Sequence, residues 1–457
     1  MVFKPRKGNE MKRNILAILT VAILICLMMT ASAFADTTTA VINPNDTVKG
    51  SFTDTIKEYD YTIDLAESGK LELDIHNGCD DSIHYSIKGD GLNRDDYIHP
   101  GDAPYDYELA PGQYTITFDN KYGPLGDFSC ATKFTPSGET YTEANDSINL
   151  IRNSKLIPFK KTVKGQLALN DEGDWFKIEL PSSGKLTIDF HSEIDTFEWT
   201  IKDIEDKHIK SEYIRKGDYS IVIELTKGTY YMGFNGSDTG NYTFKPAFKA
   251  SGETYENENE TVNLARENNP IPFATVIKGQ MALNDTEDCF KLKVPKAGKY
   301  SIKVTSKMDS TTLNVRNKND EYVAQYFHKK GTKIYTVSLK KGNNYLLFER
   351  GGNDYGNYSF KVTPATVSIK SLTKASKSFK AVWKKGTGDG YQLQYSTDKN
   401  FKKNVKSKTV SSIKTTSKTI KSLKSKKTYY VRIRTYVNGS DGKVWSDWSK
   451  AKSVKTL

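Results

Sequence analysis

The 457-residue chain has few of the residues from which active sites and disulfide frameworks are built. Its six histidines form no metal-binding pair at helical spacing and no HExxH motif. Gly-x-Ser-x-Gly and Walker sequences are also absent. Four cysteines are too few for a disulfide scaffold. These absences exclude the common hydrolase, nucleotide-binding and zinc motifs, and we expect no enzymatic activity.

Long amphipathic helical patterns are absent after residue 36. Thr, Tyr, Ile and Val instead alternate with Lys, Asp and Ser, which favours strands. In the segment 176–180, for example, Phe176, Ile178 and Leu180 fall on one face of a predicted strand. The sequence therefore predicts an all-β protein.

One long apolar run is present, from Ile15 to Met29. It follows Lys12-Arg13 and precedes Ala33-Phe34-Ala35, the pattern of a secretory signal peptide. We predict cleavage after Ala35, an exported protein, and no membrane anchor once residues 1–35 are removed. Export would permit a disulfide between Cys79 and Cys130, although the spacing does not require one.

A repeat organises most of the remaining chain. Ser137-Gly138-Glu139-Thr140-Tyr141 returns 114 residues later at 251–255, and the segment 165–171 returns at 279–285. A period of this length indicates domain duplication rather than a solenoid. With short strands and frequent turns, it predicts three β-sandwiches at 36–136, 137–250 and 251–364. Short joints at Ser137-Gly138 and Ser251-Gly252 predict a semi-rigid array.

The three repeats resemble the bacterial pre-peptidase C-terminal domain. The matching segments are residues 141–147, residues 170–176, Gly228-Thr229-Tyr230-Tyr231 and Gly240-Asn241-Tyr242. The resemblance implies non-catalytic, jelly-roll-like sandwiches of a secreted or surface protein. Some members of that family bind calcium, collagen or polysaccharide. The first repeat lacks the Glu-x-Asn-Asp lead-in of the second.

The last 93 residues, 365–457, differ from the repeats. A strand ending at Trp383, the pair Leu423 and Tyr429, and the run Trp445-Ser446-Asp447-Trp448-Ser449 occur in the order of a fibronectin type III domain, which this segment resembles. Arg432 and Arg434 are placed to form a cation–π ladder with the tryptophans of that run.

Acidic residues suggest one metal site in the second repeat. The candidate calcium ligands are Glu139, Glu143, Asn145, Asp171 and Asp174, which come from two separated segments. Calcium takes six to eight oxygen ligands, and two loops can supply them together. Alternatively, these side chains only cap turns through bonds to the backbone. Calcium is the only cofactor that we consider.

Two further features suggest ligand contacts. Trp175 is out of phase with the core residue Phe176 and is the candidate for stacking on sugars. Residues 365–457 contain 23 Lys and Arg against 4 Asp, a net charge of +19, including the cluster Lys402, Lys403, Lys406 and Lys408. Since residues 1–35 carry +4 of the total +12, residues 36–364 carry −11. A basic domain attached to an acidic body attracts anionic polymers.

Taken together, these features predict a monomeric, non-catalytic binding or spacer protein, secreted or peripherally attached to the bacterial surface. The expected partners are cell-wall polymer, polysaccharide or extracellular protein. Nucleic acid is not expected because the protein is exported. The alternative is an accessory subunit of a secreted peptidase or glycoside hydrolase encoded elsewhere.

Overall fold

The structure is a computed structural model that describes residues 37–457 except 121, 122, 124, 142, 144 and 256–260. The predicted signal peptide, residues 1–35, lies outside the described residues. The chain forms two compact units, of which the first ends at Thr135 and the second is Pro136–Leu457. Among the described residues, no helix is long and apolar enough to cross a membrane. The predicted all-β fold of tandem sandwiches is confirmed.

The first unit is a sandwich of two sheets. Its strands are β1 (Thr37–Ile42), β2 (Thr47–Phe52), β3 (Glu58–Leu65), β4 (Gly69–Asn77), β5 (Ile83–Gly89), β6 (Leu92–Ile98), β7 (Gly101–Leu109), β8 (Gly112–Asp119) and β9 (Gly126–Pro136). The sheet orders are β1-β3-β8-β5-β6 and β2-β9-β4-β7. Alternating buried side chains on β3 and β4 face each other across the core, as the sequence alternation predicts.

The second repeat begins with a one-turn helix, α1 (Ile148–Ile151). Its strands are β10 (Val163–Leu167), β11 (Asp174–Leu180), β12 (Gly184–Asp203), β13 (His208–Leu225), β14 (Gly228–Asn235) and β15 (Gly240–Ala250). The 20-residue β12 pairs with β15 along its first half and with β14 along its second half. A register shift between Ser192 and Thr196 bends it from one sheet of the sandwich into the other.

The third repeat has a short helix, α2 (Val262–Glu267), followed by eight strands. These are β16 (Ile277–Met281), β17 (Glu287–Val294), β18 (Gly298–Ser306), β19 (Thr311–Asn317), β20 (Tyr322–His328), β21 (Gly331–Leu339), β22 (Gly342–Arg350) and β23 (Gly356–Pro364). The sheets are ordered β16-β23-β18-β21 and β17-β22-β19-β20.

All three repeats have one strand topology. The first repeat's orders β2-β9-β4-β7 and β3-β8-β5-β6 match those of the third repeat, with β1 added at an edge. In the second repeat, β12 and β13 each run through both sheets and replace two strands of the third. The first repeat therefore has the fold of the other two, although it lacks most of the sequence that they share.

The C-terminal segment folds as a separate sandwich. Its strands are β24 (Ile369–Ala375), β25 (Ser378–Trp383), β26 (Gly390–Ser396), β27 (Lys406–Val410), β28 (Ser417–Ile420), β29 (Thr428–Gly439), β30 (Gly442–Trp445) and β31 (Lys452–Lys455). One sheet is β24-β25-β28; the other is β27-β26-β29-β30, with β31 paired to β29. Trp383 is buried against Tyr391, and the Tyr429 hydroxyl accepts a hydrogen bond from the Lys424 amide at 3.1 Å.

A glycine and an aromatic ring make the same contact in every repeat. Gly165 on β10 lies under the ring of Tyr242 on β15, and a Cβ at this glycine would be 2.5 Å from the ring. The same holds for Gly279 under Tyr358 and for Gly50 under Phe128. A glycine therefore recurs inside this strand of each repeat because no larger residue fits beneath the ring.

The disulfide between Cys79 and Cys130 is not formed. Both thiols are free and buried. Sγ of Cys79 lies 3.9 Å from the carbonyl oxygen of Asp127, whereas Cys130 is three residues further along β9. Three strand residues span about 10 Å, beyond the reach of about 7 Å between bonded Cα atoms. Burial raises the pKa of Cys130 and of Cys289 to about 12, so both are packed, unreactive thiols.

Hydrogen bonds join the second and third repeats. The Leu283 amide donates to the Glu224 carbonyl at 2.7 Å, and the Asn284 side chain donates to the hydroxyls of Thr226 and Tyr230 at 2.9 and 3.0 Å. Ser251 in the connecting segment donates its amide to the Ser183 carbonyl at 2.9 Å. The turn after β16 is thus a docking element as well as a turn.

Ion pairs join the third repeat to the C-terminal domain. Lys296 contacts Asp389 at 2.5 Å, and Lys361 contacts Asp447 at 2.7 Å. The Lys299 amide of the third repeat also donates to the Thr387 hydroxyl at 2.8 Å. These contacts restrict motion within the second unit and support the expectation of a semi-rigid array there.

The contact between glycine and ring predicts a stability effect. Gly165→Ala should lower the free energy of unfolding by about 1–3 kcal/mol, because the added Cβ overlaps the Tyr242 ring and the core cannot expand without strain. Gly123→Ala is the control, since its Cβ would meet atoms no closer than 3.5 Å. Chemical denaturation monitored by fluorescence measures both. Equal, small effects of the two substitutions would contradict this account of the glycine.

Candidate functional site

The acidic cluster of the second repeat forms where the segment that begins at Glu139, called the lead-in segment below, runs beside β10. Oε1 of Glu139 accepts a hydrogen bond from the Gln166 amide at 3.0 Å, which fixes this segment to the strand. Asp171 lies in the turn after β10, where its Oδ1 accepts from the Gly173 amide at 2.9 Å. Asp174 begins β11 and points into the interior. Strand, turn and lead-in thereby bring three carboxylates into one region.

Asp174 is the most buried member, with 3% of its surface exposed. Its Oδ2 accepts from the Tyr242 hydroxyl at 2.5 Å, and its Oδ1 accepts from Nδ2 of Asn145 at 2.6 Å. Burial raises its pKa well above the usual value, and the charges of Asp171 and Glu139 add to this effect. Burial also raises the pKa of Asp171 to about 6. Ionising all the carboxylates of the cluster together is therefore unfavourable.

Four of the five candidate calcium ligands converge, and one does not. Glu139, Asn145, Asp171 and Asp174 share the cluster, whereas Glu143 accepts hydrogen bonds from Lys155. The Lys155 bond lowers the pKa of Glu143. Glu143 lines a cleft of about 270 Å³ with Tyr141, Lys155, Leu156 and Lys161. Glu143 therefore lies apart from the other predicted ligands, because the backbone amide of Lys155 holds its carboxylate.

The donor chemistry of the cluster partly fits a calcium ion. Carboxylate and amide oxygens are the ligands that calcium prefers, and no Lys or Arg pairs with Asp171 or Asp174 within the described residues. Against this, both oxygens of Asp174 already accept hydrogen bonds. The described residues contain no group of three or more His, Cys, Asp or Glu arranged to hold a metal.

The third repeat repeats the core of this arrangement. The Tyr358 hydroxyl donates to Asp288 at 2.6 Å, and Glu253 accepts from the Gln280 amide at 2.8 Å. Asn259 and Glu260, which the sequence suggests as further oxygen donors, lie outside the described residues. The first repeat differs, since Tyr59 occupies the place of Asp174 and packs edge-on against Phe128.

Trp175, the candidate sugar platform, is half-buried. Ile148 and Ile151 of α1 pack around it with Tyr231. The ring also covers Gly233, and Nζ of Lys202 lies 5.1 Å from its centre. Trp175 thus joins α1 to the sheet. Counting strand phase alone could not anticipate the helix that covers this face.

The lysine cluster lies along one edge of the C-terminal domain. Lys406 and Lys408 are on the edge strand β27, and Lys402 and Lys403 are in the preceding turn; all four are exposed. The turn is shaped by Asp398, whose carboxylate accepts from the amides of residues 400, 402 and 403. These bonds lower the pKa of Asp398. Within the described residues, none of the four lysines is in an ion pair.

The cation–π ladder is confirmed. The Arg432 guanidinium lies 4.1 Å from the Phe401 ring and 4.6 Å from Trp448, and Arg434 lies 4.3 Å from Trp448 and 4.0 Å from Trp445. Gln394 and Gln392 accept hydrogen bonds from the two arginines and hold them flat against the sheet. This stack covers the sheet with mutually satisfied groups and is structural.

The sequence reasoning missed Tyr242 and Tyr358 as partners of the buried carboxylates. A signal was present in the repeats. The two repeats that carry the buried aspartate, Asp174 or Asp288, also carry the tyrosine of the Gly-Asn-Tyr segment. The first repeat has neither, and Phe128 stands in the place of the tyrosine. Comparing the repeats with one another at both positions would have revealed the pair.

No family model matches the chain. Solved structures similar to parts of it include the pre-peptidase C-terminal domain of a Bacillus anthracis collagenase, which is 16% identical, with 21% of this chain and 94% of that domain covered and a TM-score of 0.19. A two-domain fibronectin type III segment of chicken tenascin is 16% identical, with 38% and 100% covered and a TM-score of 0.19. A β-1,2-glucanase from Parabacteroides distasonis is 12% identical, with 40% and 32% covered and the same TM-score.

The raised pKa of Asp171 predicts how stability depends on pH. Its pKa is about 6 in the fold against 3.8 for the free side chain, so the native state binds more protons between about pH 4 and 6. The free energy of unfolding should therefore fall as the pH rises through this window. Asp171→Asn should flatten the dependence and raise the melting temperature at pH 7, measured by calorimetry.

The control for this prediction is Glu179→Gln, which changes an exposed carboxylate further along β11. It should leave the pH profile unchanged. If Asp171→Asn lowered the melting temperature at pH 7, the ionised carboxylate would be stabilising, and the account of the cluster would be wrong.

Proposed function

We propose that the protein is an exported, non-catalytic binding protein of the bacterial surface, and that its C-terminal domain attaches it to anionic cell-wall polymer. The observation that carries the proposal is the net charge of +19 on residues 365–457 together with the exposed lysine edge. Arg and Lys displayed on one edge attract polyanions at long range.

The few acidic groups of this domain do not neutralise that edge. Asp389 and Asp447 pair with Lys296 and Lys361 of the third repeat. Asp398 lies in the turn of the cluster itself, bonded to the amides of residues 400, 402 and 403, and its single negative charge offsets only one of the four lysines. Asp441, the fourth, lies in the turn between β29 and β30. The aspartates thus lie at the contact with the third repeat or in turns, and the lysine edge keeps a net positive charge that a ligand can reach.

The acidic body supports the same division of roles. Residues 36–364 carry a net charge of −11, which repels a polyanion. In this proposal the third repeat holds the basic domain through the two ion pairs, and the repeats contribute no attraction to the anionic polymer.

Charge reversal at the lysine edge tests the proposal. Changing Lys402, Lys403, Lys406 and Lys408 to Glu lowers the net charge of the domain from +19 to +11. Retention of the full chain on teichoic-acid-bearing walls at low salt should fall. Salt should release the unaltered protein, because the Debye length shrinks from about 10 Å at 0.1 M to about 3 Å at 1 M.

The matched control reverses four exposed lysines on the other sheet and its flank: Lys374, Lys380, Lys418 and Lys421. The net charge is the same, so a smaller loss of retention shows that the edge itself is the site. Trp448→Ala should act mainly on stability, since it removes the centre of the arginine ladder. If retention on the walls changed neither with salt nor on charge reversal, the proposal would be refuted.

We also propose that the carboxylate cluster of the second repeat binds calcium weakly. The support is the convergence of Glu139, Asn145, Asp171 and Asp174. Burial, and to a smaller extent repulsion between the carboxylates, raises the pKa of both aspartates, and a bound cation would stabilise their charged forms. Bound calcium would hold the lead-in segment against β10. Extracellular calcium modules typically have dissociation constants of about 10⁻⁴–10⁻³ M.

Calcium at millimolar concentration should raise the melting temperature at pH 7 by mass action, and less at pH 5, where protons compete for Asp171. Asp171→Asn combined with Asp174→Asn should abolish the increase. Glu143→Gln is the control, because Glu143 pairs with Lys155 instead. No increase in the unaltered protein would leave turn capping as the role of these residues.

A further inference from the structure

An exposed aromatic residue recurs at one position in all three repeats. Tyr97, Tyr213 and Phe327 each stand four residues before a glycine with positive φ: Gly101, Gly217 and Gly331. The residue that follows each aromatic, Ile98, Ile214 or His328, is buried. The three segments are therefore in the same register of the fold, although the rest of their sequence differs.

These aromatic side chains are among the most exposed in the described parts of the chain. Tyr97 is 65% exposed, Tyr213 is 70% exposed and Phe327 is 75% exposed. Each lies on an edge strand: β6 in the first repeat, β20 in the third, and in the second the first half of β13, which there pairs only with β12. Edge strands usually carry charged residues that discourage association. A ring kept there in three diverged copies points to a ligand contact.

The residue opposite each ring on the neighbouring strand differs in charge between repeats. His84 pairs with Tyr97, Glu198 with Tyr213 and Thr312 with Phe327. One is a histidine, one is acidic and one is neutral. Each of the three rows nevertheless contains one carboxylate, Glu198 itself or Asp119 and Glu349 one strand further in, so a polyanion is disfavoured at all three positions and an uncharged ligand with hydroxyl donors fits.

The next residue across the sheet is alike in all three repeats. Asp119, Asn235 and Glu349 follow in the same rows, one strand further in. Each is half-buried and carries a carboxyl or amide oxygen. Two strand spacings separate this oxygen from the ring, about 9.5 Å. Each repeat thus offers a ring and, along the same row, an oxygen acceptor; in the first repeat Oδ2 of Asp119 pairs with Nδ1 of His84 at 2.8 Å, so the ligand would use Oδ1.

We infer that each repeat binds an uncharged polysaccharide, with a pyranose ring stacked on Tyr97, Tyr213 or Phe327 and hydroxyl groups donated to Asp119, Asn235 or Glu349. The flat apolar face of a sugar matches an exposed ring, and its hydroxyls match oxygen acceptors. This goes beyond the proposed attachment through the C-terminal domain, since it uses other residues and does not depend on charge. Three weak sites on one chain act together through effective concentration.

Binding of the full chain to chitin and to microcrystalline cellulose, two uncharged pyranose polymers, tests the inference. The assay uses 1 M salt, where screening suppresses attraction by the basic domain. The combined change of Tyr97, Tyr213 and Phe327 to Ala should weaken retention on at least one polymer roughly 10²-fold or more, the range that linked sites gain. Each single change should weaken it less.

Tyr322→Ala is the matched control. Tyr322 is on the same strand as Phe327 and is 61% exposed, but the Arg316 guanidinium covers its ring at 4.1 Å. The Tyr322→Ala variant should bind the polymers as the unaltered chain does. Changing Tyr97 and Tyr213 to Phe keeps the rings and should preserve binding. Loss of binding in the Phe variants, or equal binding by the unaltered chain and the triple Ala variant, would overturn the inference.

Two further outcomes separate this inference from the proposed function. No retention of the unaltered chain on either polymer would overturn the inference and leave wall attachment untouched. The four-lysine reversal at Lys402, Lys403, Lys406 and Lys408 should leave retention on the neutral polymers unchanged. If it abolished that retention, the basic domain would be the binding site and the inference would be wrong.

Discussion

Each repeat closes around an aromatic ring that packs directly on the backbone of a glycine. The ring belongs to the last strand, as Phe128, Tyr242 or Tyr358. It contacts a residue at or next to the start of a strand on the opposite side of the sandwich: Tyr59, Asp174 or Asp288. Where that residue is an aspartate, the ring must be a tyrosine, because a buried carboxylate needs a donor. Where it is Tyr59, phenylalanine suffices. The same aromatic residue therefore determines both the packing of the sheets and the hydrogen bonding of the buried carboxylate.

This constraint has consequences beyond the core. Asp174 is held in the interior by Tyr242 and Asn145, so the negative charge of Asp171 and Glu139 meets another carboxylate rather than solvent. The charges of the C-terminal domain are arranged differently. Its aspartates are used at the joint or in turns, and its lysines remain on the surface. The molecule thus separates a buried acidic region from an exposed basic one.

The fold was largely predictable, since alternation and the 114-residue repeat depend on local periodicity. Trp383 and Tyr429 also indicated the C-terminal sandwich correctly. The site was less predictable because it depends on contacts between distant segments. Glu143 contacts Lys155, and Trp175 packs against α1. Cys79 lies beside the Asp127 carbonyl of β9 rather than beside Cys130. None of these depends on spacing along the chain, so each required the three-dimensional arrangement.

The central claim is that attachment to anionic wall polymer is electrostatic and belongs to the C-terminal domain. Titrating purified teichoic acid into residues 365–457 and, separately, into residues 36–364 tests it directly. The account predicts binding by residues 365–457 that weakens steadily as salt rises from 0.1 to 1 M, and none by residues 36–364. Equal binding by the two fragments, or an affinity for residues 365–457 that does not change with salt, would contradict it.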